Sequence, residues 1–136
     1  MKNKLQWKKY EGSEDDFQKS VANYLDSLGV LWNHSAGERK TKMRQDKNGR
    51  WFTPEGNKLK AKGVKSGMPD IMIYEGDIYY RGLAIELKVG YNKPNENQFR
   101  WLEQLQKRKW ECHWSNSMDE VLFIIETYLD GINFKK

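Results

Sequence analysis

Two neighbouring stretches decide the reading of this chain: Gly67-Met68-Pro69-Asp70-Ile71-Met72-Ile73-Tyr74 and Gly82-Leu83-Ala84-Ile85-Glu86-Leu87-Lys88-Val89. The first predicts a strand over Asp70 to Tyr74, followed by turn residues Glu75-Gly76-Asp77. A short strand over Ile78 to Tyr80 then leads through Gly82 into a longer one, Leu83 to Val89. Side chains alternate along a strand, so Leu83, Ile85, Leu87 and Val89 share one face, and Ala84, Glu86 and Lys88 share the other. A Glu and a Lys two apart on an otherwise apolar strand are either a solvated face or a site, and alternation alone does not separate the two. Asp70 sharpens the question. It opens the preceding strand of the same hairpin, directly after a Gly-x-Pro turn, and fifteen residues lie between it and Glu86. A sheet face that puts two carboxylates together is costly unless a cation neutralises them. Such an oxygen pair suits Mg²⁺ or Mn²⁺, with water completing the octahedron. Lys88 projects to the same side, where an ammonium could hold a water and offset charge developing at phosphorus. Two acids, a metal and a lysine suffice for phosphodiester hydrolysis.

Upstream, Ser13 is a good N-cap for a helix over Glu14 to Leu28, with Asp16 in a box-like position and Gly29 as the stop. Phe17, Val21, Tyr24, Leu25 and Leu28 recur at helical spacing as the buried stripe. Glu14 falls on the same side as Gln18, Val21 and Leu25, whereas Asp15 and Asp16 rotate away. It reads either as an inward-facing functional acid or as one of three first-turn acids that complement the helix dipole. A strand over Val30 to Trp32 follows. Downstream, Asn95 caps a helix whose apolar residues are Phe99, Trp101, Leu102 and Leu105. Gln98 lies on its apolar side, and Asn95-x-x-Gln98 is also a capping box, so its amide has a structural role and a site role open to it. A strand over Trp110 to Trp114 leads to a last helix, capped by Ser117 with Glu120 and ended by Gly131. The order α, β, basic insert, β-hairpin, α, β, α reads as one α/β domain over 1–136.

The chain has 136 residues and a net charge of +5, unevenly spread. Arg39 to Lys65 holds ten basic residues against two acids, while Glu111 to Lys136 is net acidic. A basic insert of this kind is either a polyanion footprint or a solvated loop. Within it, Asn48-Gly49 predicts a hairpin turn, Thr53-Pro54-Glu55 opens a short helix ending near Gly63, and Trp51 and Phe52 could stack on unpaired bases. Cys112 is the only cysteine, which excludes a disulfide framework and a zinc site of several thiolates. The longest aliphatic or aromatic run, Val121 to Ile125, is too short to span a bilayer, and the N-terminal residues lack the apolar core of a signal peptide. A cytoplasmic protein is expected.

Pro69-Asp70 with Glu86-Leu87-Lys88 matches the PD-(D/E)XK nuclease signature. The wider pattern resembles the virus-type replication-repair nuclease (VRR-NUC) branch, especially its small stand-alone phage members. The matching pieces are Glu14-x-x-Phe17-Gln18, Gly63 to Ile71, Gly82 to Lys88 and Asn95-x-x-Gln98-x-x-Trp101-Leu102-x-x-Leu105. The resemblance implies a restriction-endonuclease-like core, a small mixed β-sheet flanked by helices. It implies that Asp70 and Glu86 bind Mg²⁺, for which Mn²⁺ would substitute, with the backbone carbonyl of Leu87 and with Glu14 through water. Lys88 would position the attacking water and Gln98 would support the site. The family's substrates are DNA, often branched, and some single-domain members resolve four-way (Holliday) junctions as homodimers. On this reading Arg39, Lys40, Lys42, Arg44, Lys60, Lys62 and Lys65 contact DNA phosphates. The function expected is Mg²⁺-dependent, structure-dependent DNA endonuclease; the alternative is a non-catalytic basic nucleic-acid-binding domain on the same fold. Asn33 to Arg39 is similar to a segment of phage members, and within it His34 reads either as a substrate contact or as a solvated residue. One departure is Lys109-Trp110, where the family commonly has a glycine ending the long helix.

Overall fold

The computed structural model describes residues 7–35, 44–52, 62–63 and 65–135. Helix α1, Glu14–Leu28, starts where Ser13 Oγ accepts the Asp16 N–H (3.0 Å) and stops at Gly29, whose φ is +72°. Phe17, Val21 and Leu25 are fully buried, as the periodicity requires. The first strand, β1, is Trp32–His34 and not Val30 to Trp32. Its register comes from outside the apolar run. It pairs antiparallel with β4 (Ile71–Ile73), Trp32 opposite Ile73 and His34 opposite Ile71. The Trp32 indole N–H also bonds Asp26 of α1 (2.8 Å), and Leu31 is left two-thirds exposed.

Strands β2 (Arg44–Gln45) and β3 (Trp51–Phe52) form the expected separate hairpin. In its turn, Asp46 Oδ1 accepts the N–H groups of Asn48 and Arg50, and Gly49 has a φ of +80°. The short helix expected after Thr53 lies mostly outside the described residues.

Between β4 and β5 (Gly82–Leu87) there is no strand over Ile78 to Tyr80. Asp77 Oδ1 takes the N–H groups of both Tyr79 and Tyr80 (2.8 Å each), and the Asp77 N–H donates to Tyr80 O. That turn defeats the β-propensity of Ile-Tyr-Tyr and leaves Ile78 83% exposed. Strand β5 pairs antiparallel with β4 and parallel with β6 (Trp110–Ser115), giving the mixed order β1-β4-β5-β6. At Gly82 a Cβ would stand 2.3 Å from the Trp110 ring and 2.4 Å from Ile73 O, so no larger residue fits where these strands meet.

Helix α2, Glu96–Lys107, packs on β6 and β5; helix α3, Met118–Gly131, packs beside α1 across the other face. At the position where the resembled pattern commonly carries a glycine, Lys109 itself adopts the left-handed conformation (φ 70°), and β6 begins at the next residue. Leu83, Ile85 and Leu87 join Ile71, Ile73, Phe17, Val21, Val121 and Ile125 in the core. The opposite face of β5 carries Ala84 and Glu86, on the side shared with Met72. This is the expected α/β architecture, a small mixed sheet flanked by helices. No described helix is long and apolar enough to cross a membrane.

Candidate active site

Continuing the β4–β5 register by one step beyond Ile71 and Ile85 sets Asp70 opposite Glu86. Each acid accepts a backbone N–H from the other's strand. The Asp70 N–H donates to Glu86 Oε1 (3.2 Å), and the Leu87 N–H donates to Asp70 Oδ2 (2.8 Å).

Three supports hold Asp70 in place. In the approach loop, Gly67 has a φ of +90°, and a Cβ there would lie 3.0 Å from Asn97. The Asn97 amide donates to Ser66 O (2.9 Å) and Ser66 Oγ (2.7 Å), and the Trp101 indole N–H donates to the same carbonyl (2.9 Å). Helix α2 therefore grips the loop just before Pro69. On the other side, the Asp70 carbonyl accepts the Ser35 N–H (2.9 Å) and meets His34 Nδ1 (2.9 Å), which also contacts the Gln18 amide of α1.

Glu86 is 1% exposed. Its Oε2 has no hydrogen-bond partner; Lys88 Nζ stands 3.2 Å away, at ion-pair distance but without hydrogen-bond alignment. Burial, and after it the charge of Asp70, push the Glu86 carboxyl up to about 8, with Lys88 pulling the other way. Near neutral pH the protein alone therefore favours a proton on Glu86, as expected of two close carboxylates with too little positive charge. An orphaned, buried carboxylate oxygen beside a second acid is a place a divalent cation fits. Among the described residues no three His, Cys, Asp or Glu side chains gather to hold an ion. Two carboxylates are the side chains on offer to such an ion, a set that suits Mg²⁺ better than an ion that demands a full protein cage.

The other expected site residues divide. Lys88, just past β5, donates its N–H to Ser115 O (2.9 Å) and keeps a mostly buried side chain against Glu86. Leu87 contributes its N–H to Asp70. Glu14 is exposed in the first turn of α1, one turn before Gln18 on the same face, and makes no bond to Asp70 or Glu86. Gln98 closes its helix: its Oε1 accepts the Asn95 N–H (2.9 Å) while Asn95 Oδ1 accepts the Gln98 N–H (2.8 Å). The capping role is realised, and no bond carries Gln98 to the acids. Lys62 and Lys65 are exposed, Arg44 lies in β2, and Arg39, Lys40, Lys42 and Lys60 lie outside the described residues.

Sequence reasoning passed over one support. Asn97 sits four residues before Trp101, and that spacing puts both donors on one side of α2. His34, read either as a substrate contact or as a solvated residue, is exposed and also meets the Asp70 carbonyl. Cys112 is remote chemically, its thiol pushed up to about 12 by burial and by Glu111.

The sequence matches no protein-family model and no curated protein. It is similar to a solved structure described as "VRR_NUC domain protein", with a TM-score of 0.61 and 26% identity, over 89% of this chain and 92% of that one.

Proposed function

We propose that this chain, whose motif order and fold resemble those of the VRR-NUC family, is a metal-dependent DNA endonuclease with Asp70, Glu86 and Lys88 as its reacting centre. The observation that carries this reading is Glu86: buried, clasped to Asp70, and holding one unbonded oxygen toward Lys88. Buried carboxylates shifted by desolvation and a second acid cluster at functional sites.

Asp70 and Glu86 would hold Mg²⁺, or Mn²⁺ in its place, with the Leu87 carbonyl and with Glu14 through water. When bound, the ion supplies Lewis-acid polarisation of the phosphate and lowers the pKa of water. Lys88 holds the attacking water against Glu86 and offsets charge that grows on the phosphoryl oxygens. Water attacks phosphorus, one P–O bond breaks, and a 5′ or 3′ alcohol leaves. Gln98 acts here at one remove, by fixing the start of α2, whose next residues grip the loop before Asp70. Arg39, Lys40, Lys42, Arg44, Lys60, Lys62 and Lys65 contact phosphates, which sets register without reading sequence. Contacts of that kind favour a structure-dependent cut, on branched or four-way junction DNA. A twofold homodimer would suit two symmetric cuts.

The test is cleavage of labelled four-way, flap, single-stranded and duplex DNA in Mg²⁺, Mn²⁺ or EDTA, with wild type and Lys88→Ala side by side. Cutting that needs metal and is lost in the variant is expected. Tight, salt-sensitive binding without cutting in any metal would leave a nucleic-acid-binding domain on a nuclease fold.

A further inference from the structure

Tyr91 follows Lys88 by three residues and is 86% exposed. Three residues of chain reach at most about 11 Å, or roughly three base-pair rises, so the Tyr91 backbone lies within that distance of Lys88. Its loop is built, not loose. The Asn92 N–H donates to Val89 O (3.2 Å), closing a tight turn with Gly90 (φ +57°) and Tyr91 at its tip. The Asn116 amide donates to Gly90 O (2.8 Å), and Asn116 O accepts the Tyr10 N–H (2.7 Å). Tyr10 in turn stacks on the buried Phe17, with ring centroids 4.5 Å apart and planes within 7°. That anchor delivers the preceding residue, Lys9, over the Tyr91 ring, its Nζ 3.6 Å from the centroid. One face of the ring is thus covered by an ammonium, and its high exposure leaves the other face to solvent. From Lys88 to Asn95 the chain carries two lysines and no acid.

A flat aromatic face, a cation behind it and a basic loop beside a phosphodiester-cleaving centre fit one ligand chemistry: an unpaired nucleobase with its phosphate. We propose that Tyr91, backed by Lys9, is a stacking platform for an unpaired nucleotide next to the scissile phosphate. It therefore biases the protein toward DNA with unpaired or splayed bases. In continuous duplex both faces of each base are already occupied by neighbours, whereas an unpaired base offers a free face of any sequence. This rests on the nuclease reading and deepens it by naming the feature of the substrate that is recognised.

The experiment uses the full chain in EDTA, so that binding is read without cutting. Oligonucleotides carry 5-iododeoxyuridine at single positions across the cleavage region, in unpaired and in duplex form. Wild type should photocrosslink through Tyr91 to the unpaired form. Tyr91→Ala should lose that crosslink and bind unpaired DNA about 5- to 150-fold more weakly, with duplex affinity changed far less. Tyr91→Phe should retain both crosslink and affinity. Tyr79→Ala, an exposed tyrosine in the β4–β5 loop at the opposite end of the sheet, should change nothing. Equal losses on duplex and unpaired DNA would overturn the proposal. So would unchanged affinity in Tyr91→Ala, or an affinity loss matched by a lowered Tm, since the ring would then only tether the N-terminal segment. Cleavage in Mg²⁺, scored separately, distinguishes the two readings. Crosslinking without cutting removes the nuclease and keeps the platform, and cutting without selective crosslinking does the reverse.

Discussion

The two faces of β5 are equally dry and chemically opposite. Leu83, Ile85 and Leu87 are fully buried in the aliphatic core, and Glu86 is 1% exposed on the other side. Burying an Ile or Leu side chain stabilises the fold by roughly 1.5–3 kcal/mol. Burying Glu86 works against it, and the carboxyl answers by holding its proton to about 8. Inaccessibility therefore does not distinguish structure from site. What distinguishes them is whether the buried atoms are satisfied: the aliphatics on one face need only packing, and one oxygen on the other face has an ion-pair neighbour but no hydrogen bond.

The comparison breaks most sharply if the two faces are mutated separately. Lys88→Ala should lower metal-dependent cleavage by about 10²- to 10³-fold, with urea unfolding shifted little, because only the site face is touched. Ile85→Ala should do the opposite. It should cost about 2–5 kcal/mol of stability, while the folded fraction, assayed at low temperature, keeps its cleavage rate. Parallel losses of rate and stability in both variants would mean the faces are not separable.

A smaller effect lies in pH. Glu86 binds its proton more tightly folded (about 8) than unfolded (4.5), so between those values the native state carries more protons. Its contribution to stability is full below pH 4.5 and is lost as pH rises through about 8. In EDTA, urea-unfolding free energies of wild type should decline across that window relative to Glu86→Gln. Identical slopes would show that Glu86 is not perturbed. Smallest is Lys109→Gly, away from both faces. Relief of the left-handed strain, less the entropy glycine loses, should raise stability by up to about 1 kcal/mol in the same titration, leaving cleavage unchanged.

Much of this was legible in the sequence because it is local. Ser13, Gly29, Asn95 and Ser117 mark helix ends through bonds spanning three or four residues, and all four stand where expected. The Asp70–Glu86 juxtaposition was legible too, since a hairpin brings its own strands together. What local patterns could not show was competition and distance. Ile78-Tyr79-Tyr80 has the composition of a strand, but one side chain, Asp77, captures its backbone first. The register of β1 depends on partners some forty residues away in β4. Alternation left Glu86 and Lys88 as either surface or site because their cover, α2, arrives from later in the chain. Gln98 had two roles open, and the bond to Asn95 selects the cap.

The bond from the Ser35 N–H to the Asp70 carbonyl has a consequence for how such a protein can change. The chain leaves the sheet after Ser35 and returns to it at Asp70 through one closed gate, and the described strands between them, β2 and β3, form a sheet of their own. For a segment tied at its base, doubling its length costs only about 0.6 kcal/mol of closure entropy. The basic insert can therefore be lengthened, shortened or exchanged for another while the reacting centre keeps its geometry. A shift of one residue at the gate itself would instead drag Asp70 off the Leu87 amide. Chimeras that swap the insert between chains of this fold should be joined inside that bond.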